Sequence, residues 1–133
     1  MMHRRDAWIF GLGCAASLAA APALAQGALA MLDTLEKGAW EVRSRDGSNV
    51  RKVCVRSGRE LVQLRHRQGN CNRFVVEDGA GEVTVQYTCR GNGYGRTSIR
   101  KERADLVQID SQGIADGKPF QFSAEGRRTG SCN

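Results

Sequence analysis

The chain has 133 residues, 41% of them hydrophobic and 26% charged, with two prolines and a net charge of +6. That length supports one small domain with a modest core and excludes two independently folding units. The charge by itself selects no partner, because acids interleave with bases (Glu41 with Arg43, Asp46 with Arg45, Glu102 with Lys101 and Arg103) in the manner of a solvated surface.

In chain order, Met1-Met2-His3-Arg4-Arg5 precedes an apolar run from Ala7 to Ala25 that closes on Ala23-Leu24-Ala25. This pattern predicts a secretory signal peptide over residues 1–25, cleaved after Ala25. Gly11, Gly13, Ser17 and Pro22 interrupt the run, leaving it too short and weak to span a membrane stably, and no transmembrane segment follows. The alternative is a lipoprotein cut before Cys14, which would tether the same domain to a membrane. Cleavage after Ala25 leaves 108 of the 133 residues and takes the net charge from +6 to +5; fourteen of the eighteen remaining basic residues are arginine. Export also changes the meaning of Cys54, Cys71, Cys89 and Cys132, because thiols oxidise beyond the inner membrane. A periplasmic location is the expectation.

Residues 26–37 form a lead-in in which Leu29, Met31, Leu32 and Leu35 fit a short helix with Asp33 and Glu36 outward. The period then changes to two, and residues 38–133 read as a disulfide-linked β domain. Trp40 and Val42 alternate with Glu41 and Arg43, and Asp46-Gly47 turns the chain into Val50, Val53 and Val55, a β-hairpin. Further strands are predicted at 73–77, 82–90, 94–103, 106–110 and 119–127. They are separated by Asp78-Gly79-Ala80-Gly81, Gly91-Asn92-Gly93, Ala104-Asp105 and Ser111-Gln112-Gly113. Seven strands on short links imply an antiparallel meander, since parallel pairing needs a long crossover. The expected fold is mainly β: a strongly curved sheet or small barrel that buries Trp40, Val53, Val83, Val85, Tyr87, Ile99, Phe120 and Phe122.

One helix is predicted between Cys54 and Cys71, where Ser57-Gly58-Arg59-Glu60 has capping-box spacing and Leu61 and Leu64 follow. It would end near Gln68-Gly69-Asn70. Its ends meet if Cys54 bonds Cys71, which leaves Cys89 for Cys132; four cysteines permit three pairings, and the other two stay open. Zinc is not expected, because no Cys-x-x-Cys pair is present and the compartment oxidises thiols.

Gly38-Ala39-Trp40-Glu41-Val42, cysteines at 54, 71 and 89, and Gly126-Arg127-Arg128-Thr129-Gly130-Ser131-Cys132 together resemble DUF3617, a family of secreted bacterial proteins without an assigned activity. The resemblance spans about residues 35–132. It implies an exported Gram-negative envelope protein with a disulfide-linked β-rich fold, and brings no catalytic residue. The chain departs from many members in a short, Met-poor segment between Trp40 and Cys54 and in an arginine-rich helix region.

The catalytic inventory is thin. His66 is the one histidine beyond the leader, it stands between Arg65 and Arg67, and a solvent-facing position on the short helix is expected for it. No Gly-x-Ser-x-Gly elbow occurs. Glu77-Asp78 reads as a solvated hairpin end, and Gly91-Asn92-Gly93-Tyr94-Gly95 joins two strands, so it lacks the helix terminus that makes a phosphate loop. No enzyme, metal or cofactor is expected. Two groups remain as binding candidates. Trp40, Tyr87, Phe120 and Phe122 would line a pocket for an apolar ligand or fill the core. Arg59, Arg65, Arg67 and Arg73 would form a patch for an anionic envelope component. Nucleic acid is disfavoured because too few aromatics accompany the arginines. A third reading is a periplasmic hydrolase inhibitor that inserts Gly91–Gly95 into a cleft.

Overall fold

The computed structural model describes residues 27–133 together with residues 16, 17 and 19. The rest of the expected leader, including Cys14, lies outside the described residues. A one-turn helix, α1 (Ala30–Asp33), leads into seven strands: β1 (Gly38–Ser44), β2 (Val50–Val55), β3 (Cys71–Asp78), β4 (Glu82–Cys89), β5 (Gly93–Arg103), β6 (Leu106–Ala115) and β7 (Lys118–Gly130). They form one antiparallel sheet in the order β2-β1-β7-β6-β5-β4-β3. The sheet is curved and mainly β as expected, but it does not close: β2 and β3 remain its two edges.

Alternation explains which face curls inward. Trp40, Val42, Val53, Val55, Val83, Val85, Tyr87, Ile99, Val107, Ile109 and Ala124 occupy alternate positions and are buried on one face. The opposite face carries charges that pair two residues apart along a strand, as in Arg43–Glu41, Arg100–Glu102 and Arg127–Glu125. These exposed pairs each contribute little to stability.

The predicted break at Ser111-Gln112-Gly113 is corrected, because β6 continues through it to Ala115. Ser111 faces inward and is satisfied by Thr97 Oγ1 at 2.8 Å, and Gly113 lies opposite Gly95 where the two backbones approach closely. The turn falls instead at Asp116-Gly117, both with positive φ (52° and 75°), a dipeptide suited to a two-residue hairpin.

The concave face is filled by two pieces of chain. At one end α1 inserts Leu29, Met31, Leu32 and Leu35, with Asp33 and Glu36 exposed, as the sequence predicts. The long link between β2 and β3, residues 56–70, crosses the concavity and buries Leu61, Val62, Leu64 and His66. Its helix shrinks to a single 3-10 turn, Arg59–Leu61. The carbonyls a longer helix would use are taken elsewhere: Val62 O accepts from Thr97 Oγ1 at 2.7 Å, and Leu64 O accepts from the Arg51 guanidinium. The glutamate half of the expected capping box is present, with Glu60 Oε1 accepting from Ser57 N at 3.1 Å and Arg56 N at 3.0 Å.

The disulfides are Cys54–Cys132 and Cys71–Cys89, which corrects the expected Cys54–Cys71 and Cys89–Cys132. The expected pairing assumed that a short link keeps its ends together. Here the link runs from one sheet edge to the other, so Cys54 and Cys71 lie on opposite edges. Cys71 stands directly across from Cys89 in the β3–β4 ladder. Ala39 pairs with Cys54 on one side and with Gly130 on the other, which brings the chain end to β2. Two disulfides in so small a domain indicate an oxidising, extracytoplasmic location. Among the described residues no helix is long and apolar enough to cross a membrane.

Candidate functional site

Of the four singled-out aromatics, two belong to the core. Trp40 is fully buried and donates from Nε1 to Glu36 O at 2.8 Å, and Tyr87 is 1% exposed. His66 is also 1% exposed, which overturns the solvent-facing expectation. The crossing link carries it inward beside Tyr87. Its Nε2 faces two carbonyls, Asn92 O at 2.7 Å and Ile114 O at 3.0 Å, and so bears the hydrogen. Nδ1 lies 2.9 Å from Tyr87 Oη, whose hydroxyl has no other acceptor among the described residues and donates to it. Burial pushes the Tyr87 hydroxyl up to about 12, with Arg65 acting weakly the other way. This triangle locks the link to the β4–β5 and β6–β7 ends of the sheet. Asn92 extends the lock by accepting from Asp116 N and donating to Gln68 Oε1, each at 3.0 Å. The Gly91–Gly95 turn is therefore anchored at its centre. Both ring nitrogens of His66 are engaged, and among the described residues no group of three or more His, Cys, Asp or Glu is placed to hold a metal.

The other two aromatics line an open cleft. β1 pairs with β7 only as far as Ser44–Ala124, with one further bond from Arg45 N to Ser123 O at 2.9 Å. Among the described residues the first residues of β7 thus run on beyond β1 with no strand on that side. The gap between this overhang, the β1–β2 turn and Leu64-Arg65 is a cleft of about 610 Å³. Phe120 and Phe122 face into it as a stacked pair with centroids 6.3 Å apart, and the Arg65 guanidinium lies 5.4 Å above the Phe120 ring. Arg51 and Arg45 also line it, the Arg45 guanidinium donating to Gln108 Oε1 at 3.0 Å. Asp46 also lines the cleft, but its carboxylate accepts from Ser48 N at 2.9 Å and caps its own turn.

The charge here is not neutralised. Arg51 is held below the usual arginine value by burial first, then by the neighbouring charges of Arg67 and Arg65. Among the described residues none of these three forms an ion pair, whereas Arg43, Arg59, Arg100, Arg103, Arg127 and Arg128 all do. Like charges held close together without counter-ions favour an anion at that place.

The expected arginine patch is only partly assembled. Arg65 and Arg67 stand free on the link, but Arg59 is committed to Asp33 and to the carbonyls of Ala28 and Ser57. Arg73 donates to Gln63 Oε1 at 2.6 Å in a separate cleft of about 310 Å³, which Arg59 and Arg67 also line, so three of the four expected arginines meet there and Arg65 stands apart in the larger cleft. Burial, followed by the charge of Arg59, lowers the pKa of Arg73, and Glu60 partly offsets both. Sequence reasoning missed Arg45 and Arg51. A signal for Arg51 existed: it lies in the row of Val53 and Val55, opposite Val42, so strand alternation turns it inward.

Compared with known proteins, the chain matches no family model, no curated protein and no solved structure.

Proposed function

We propose that this chain is an exported, periplasmic, non-catalytic binding module that takes an anionic, partly apolar envelope component in the cleft beneath the β7 overhang. The observation that carries this reading is the pair Arg51 and Arg65, neither in an ion pair among the described residues, beside the Phe120–Phe122 pair, with the charge of Arg67 also acting on Arg51. Guanidinium groups grip phosphate or carboxylate, and the stacked rings offer an apolar floor. The curved sheet's own concavity is packed with Leu61, Val62, Leu64 and α1, which directs a ligand to the cleft and away from the interior. The same proposal groups the chain with the DUF3617 family, whose Gly-x-Trp element has a structural reason here. A Cβ at Gly38 would overlap Gly130 O, and Trp40 is core.

The test is amide NMR of the mature, oxidised protein titrated with an alkyl phosphate and, separately, with an uncharged alkyl glucoside of the same chain length. Shifts confined to residues 45–51, 64–67 and 119–123, seen with the phosphate and weakened by salt, are expected. Arg51→Ala with Arg65→Ala should reduce that affinity by about tenfold or more, the scale of one to two lost charge-assisted bonds. Equal binding of the glucoside, or phosphate shifts that map elsewhere, would refute the assignment.

A further inference from the structure

The two edges of an open sheet are ready templates for another strand, and proteins ordinarily blunt them with charge, bulges or cover. β2 is blunted by charge: Arg51 and Lys52 lie within it and Arg56 follows it, so a second copy of β2 would set cations against cations. β3 differs. Among the described residues it bonds β4 alone, and six of its eight residues are exposed. Among them are Phe74, 60% exposed, and Val76, 41% exposed, two of the four large apolar side chains most open to solvent. Phe74 stands opposite Gln86 and Val76 sits at the β-bulge between Val75 and Glu77, so both project on the polar outer face where the core does not require them.

Charge runs along β3 with a definite polarity. Its first half carries Arg73, and its second half ends in Glu77-Asp78. Arg73 uses its Nε on Gln63 Oε1 at 2.6 Å, which leaves its Nη groups, and none of the three residues has an ion-pair partner among the described residues. A parallel copy would oppose like to like. An antiparallel copy centred near Val75 reverses the polarity, bringing each Arg73 end beside the other copy's Glu77-Asp78 and each Phe74 beside the other copy's Val76. Such self-complementarity is the signature of an isologous contact, in which one patch serves both subunits. We infer that the mature protein forms a two-fold dimer by antiparallel pairing of β3 with β3 of a second copy, extending the seven-stranded sheet across the interface. The bulge and the charges discourage indiscriminate strand addition, and the antiparallel self-pair is the arrangement that satisfies both charge and apolar surface. The occupant is a second copy and not an unrelated peptide, because the strand supplies its own complement.

The cleft lies toward the opposite edge, so this inference stands or falls independently of the ligand. Sedimentation equilibrium of the oxidised mature protein should show a concentration-dependent monomer–dimer equilibrium. Glu77→Arg should shift it to monomer by setting Arg73 against a second cation, and adding Arg73→Glu to that variant should restore the dimer. Phe74→Lys should also give monomer. Near-ultraviolet circular dichroism confirms that each variant is folded, so loss of the dimer is not mistaken for loss of structure. A wild-type monomer up to high micromolar concentration, a dimer that survives both Glu77→Arg and Phe74→Lys, or open-ended oligomers would overturn the inference.

Discussion

Raising the pH from 9 to 12 should destabilise this protein through one hydroxyl. Tyr87 is pushed from the ordinary 10.0 to about 12, chiefly because its ring and Oη are buried beside His66. The folded value lies above the unfolded one, so folding favours the neutral form. The contribution is complete below pH 10, falls as the unfolded chain releases its proton, and is gone above about 12. A displacement of roughly two units corresponds to about 2.7 kcal/mol, lost at up to about 1.4 kcal/mol per pH unit between those limits. For a domain stabilised by about 5–15 kcal/mol that is a large share. The assay is urea unfolding at fixed pH values across this window, comparing wild type with Tyr87→Phe, since the difference cancels every other titrating group. Tyr87→Phe should be less stable by about 1–3 kcal/mol at neutral pH, because His66 Nδ1 loses its donor. The two curves should then converge as pH passes 12. In a Tyr94→Phe background, phenolate absorbance reports Tyr87 alone. A rise near pH 10 in the folded protein, or parallel stability curves for the two proteins, would refute the account.

The disulfides give a second test. Removing Cys54 and Cys132 together, as alanines, should cost up to about 4.5 kcal/mol by the chain-entropy estimate for their separation of 78 residues. Removing Cys71 and Cys89, separated by 18, should cost about 3. Non-reducing peptide mapping should recover those two pairs and no others. At Gly93, φ is 89° and a Cβ would overlap Ile114 O, whereas Gly91, at φ 77°, has open space. Gly91→Ala should therefore cost about 1–2 kcal/mol, the left-handed backbone penalty alone, and Gly93→Ala clearly more, measured by thermal or urea unfolding. Glu60 is raised by burial but lowered further by the backbone N–H groups of its own residue, Arg56 and Ser57, for a net depression below 4.5. Its contribution is present above that value and lost as pH falls through the lowered one, so Glu60→Gln should flatten the acid limb of the stability profile.

The sequence by itself determined the class of this fold and most of its strands. Two-residue alternation with Gly, Asn and Asp punctuation is a local property of strands and turns, and it placed Trp40, Val83, Val85, Tyr87 and Ile99 in the core. Even the departures left local traces: Asp116-Gly117 is an ordinary hairpin dipeptide, and Arg51 keeps step with Val53 and Val55. Tertiary structure alone decided where the link of residues 56–70 goes. A chain segment of that length can return to its own edge or cross the sheet, and its local sequence is compatible with both. Crossing separates Cys54 from Cys71, brings Cys71 opposite Cys89, and carries His66 to Tyr87 and two carbonyls. It also spends Arg59 and Arg73 on local bonds while leaving Arg51 and Arg65 at the cleft, with the charge of Arg67 close to Arg51. Pairing, burial of a polar ring and the grouping of cations are set by which distant segments meet, a choice made by packing the whole concave face and not by any window of the chain.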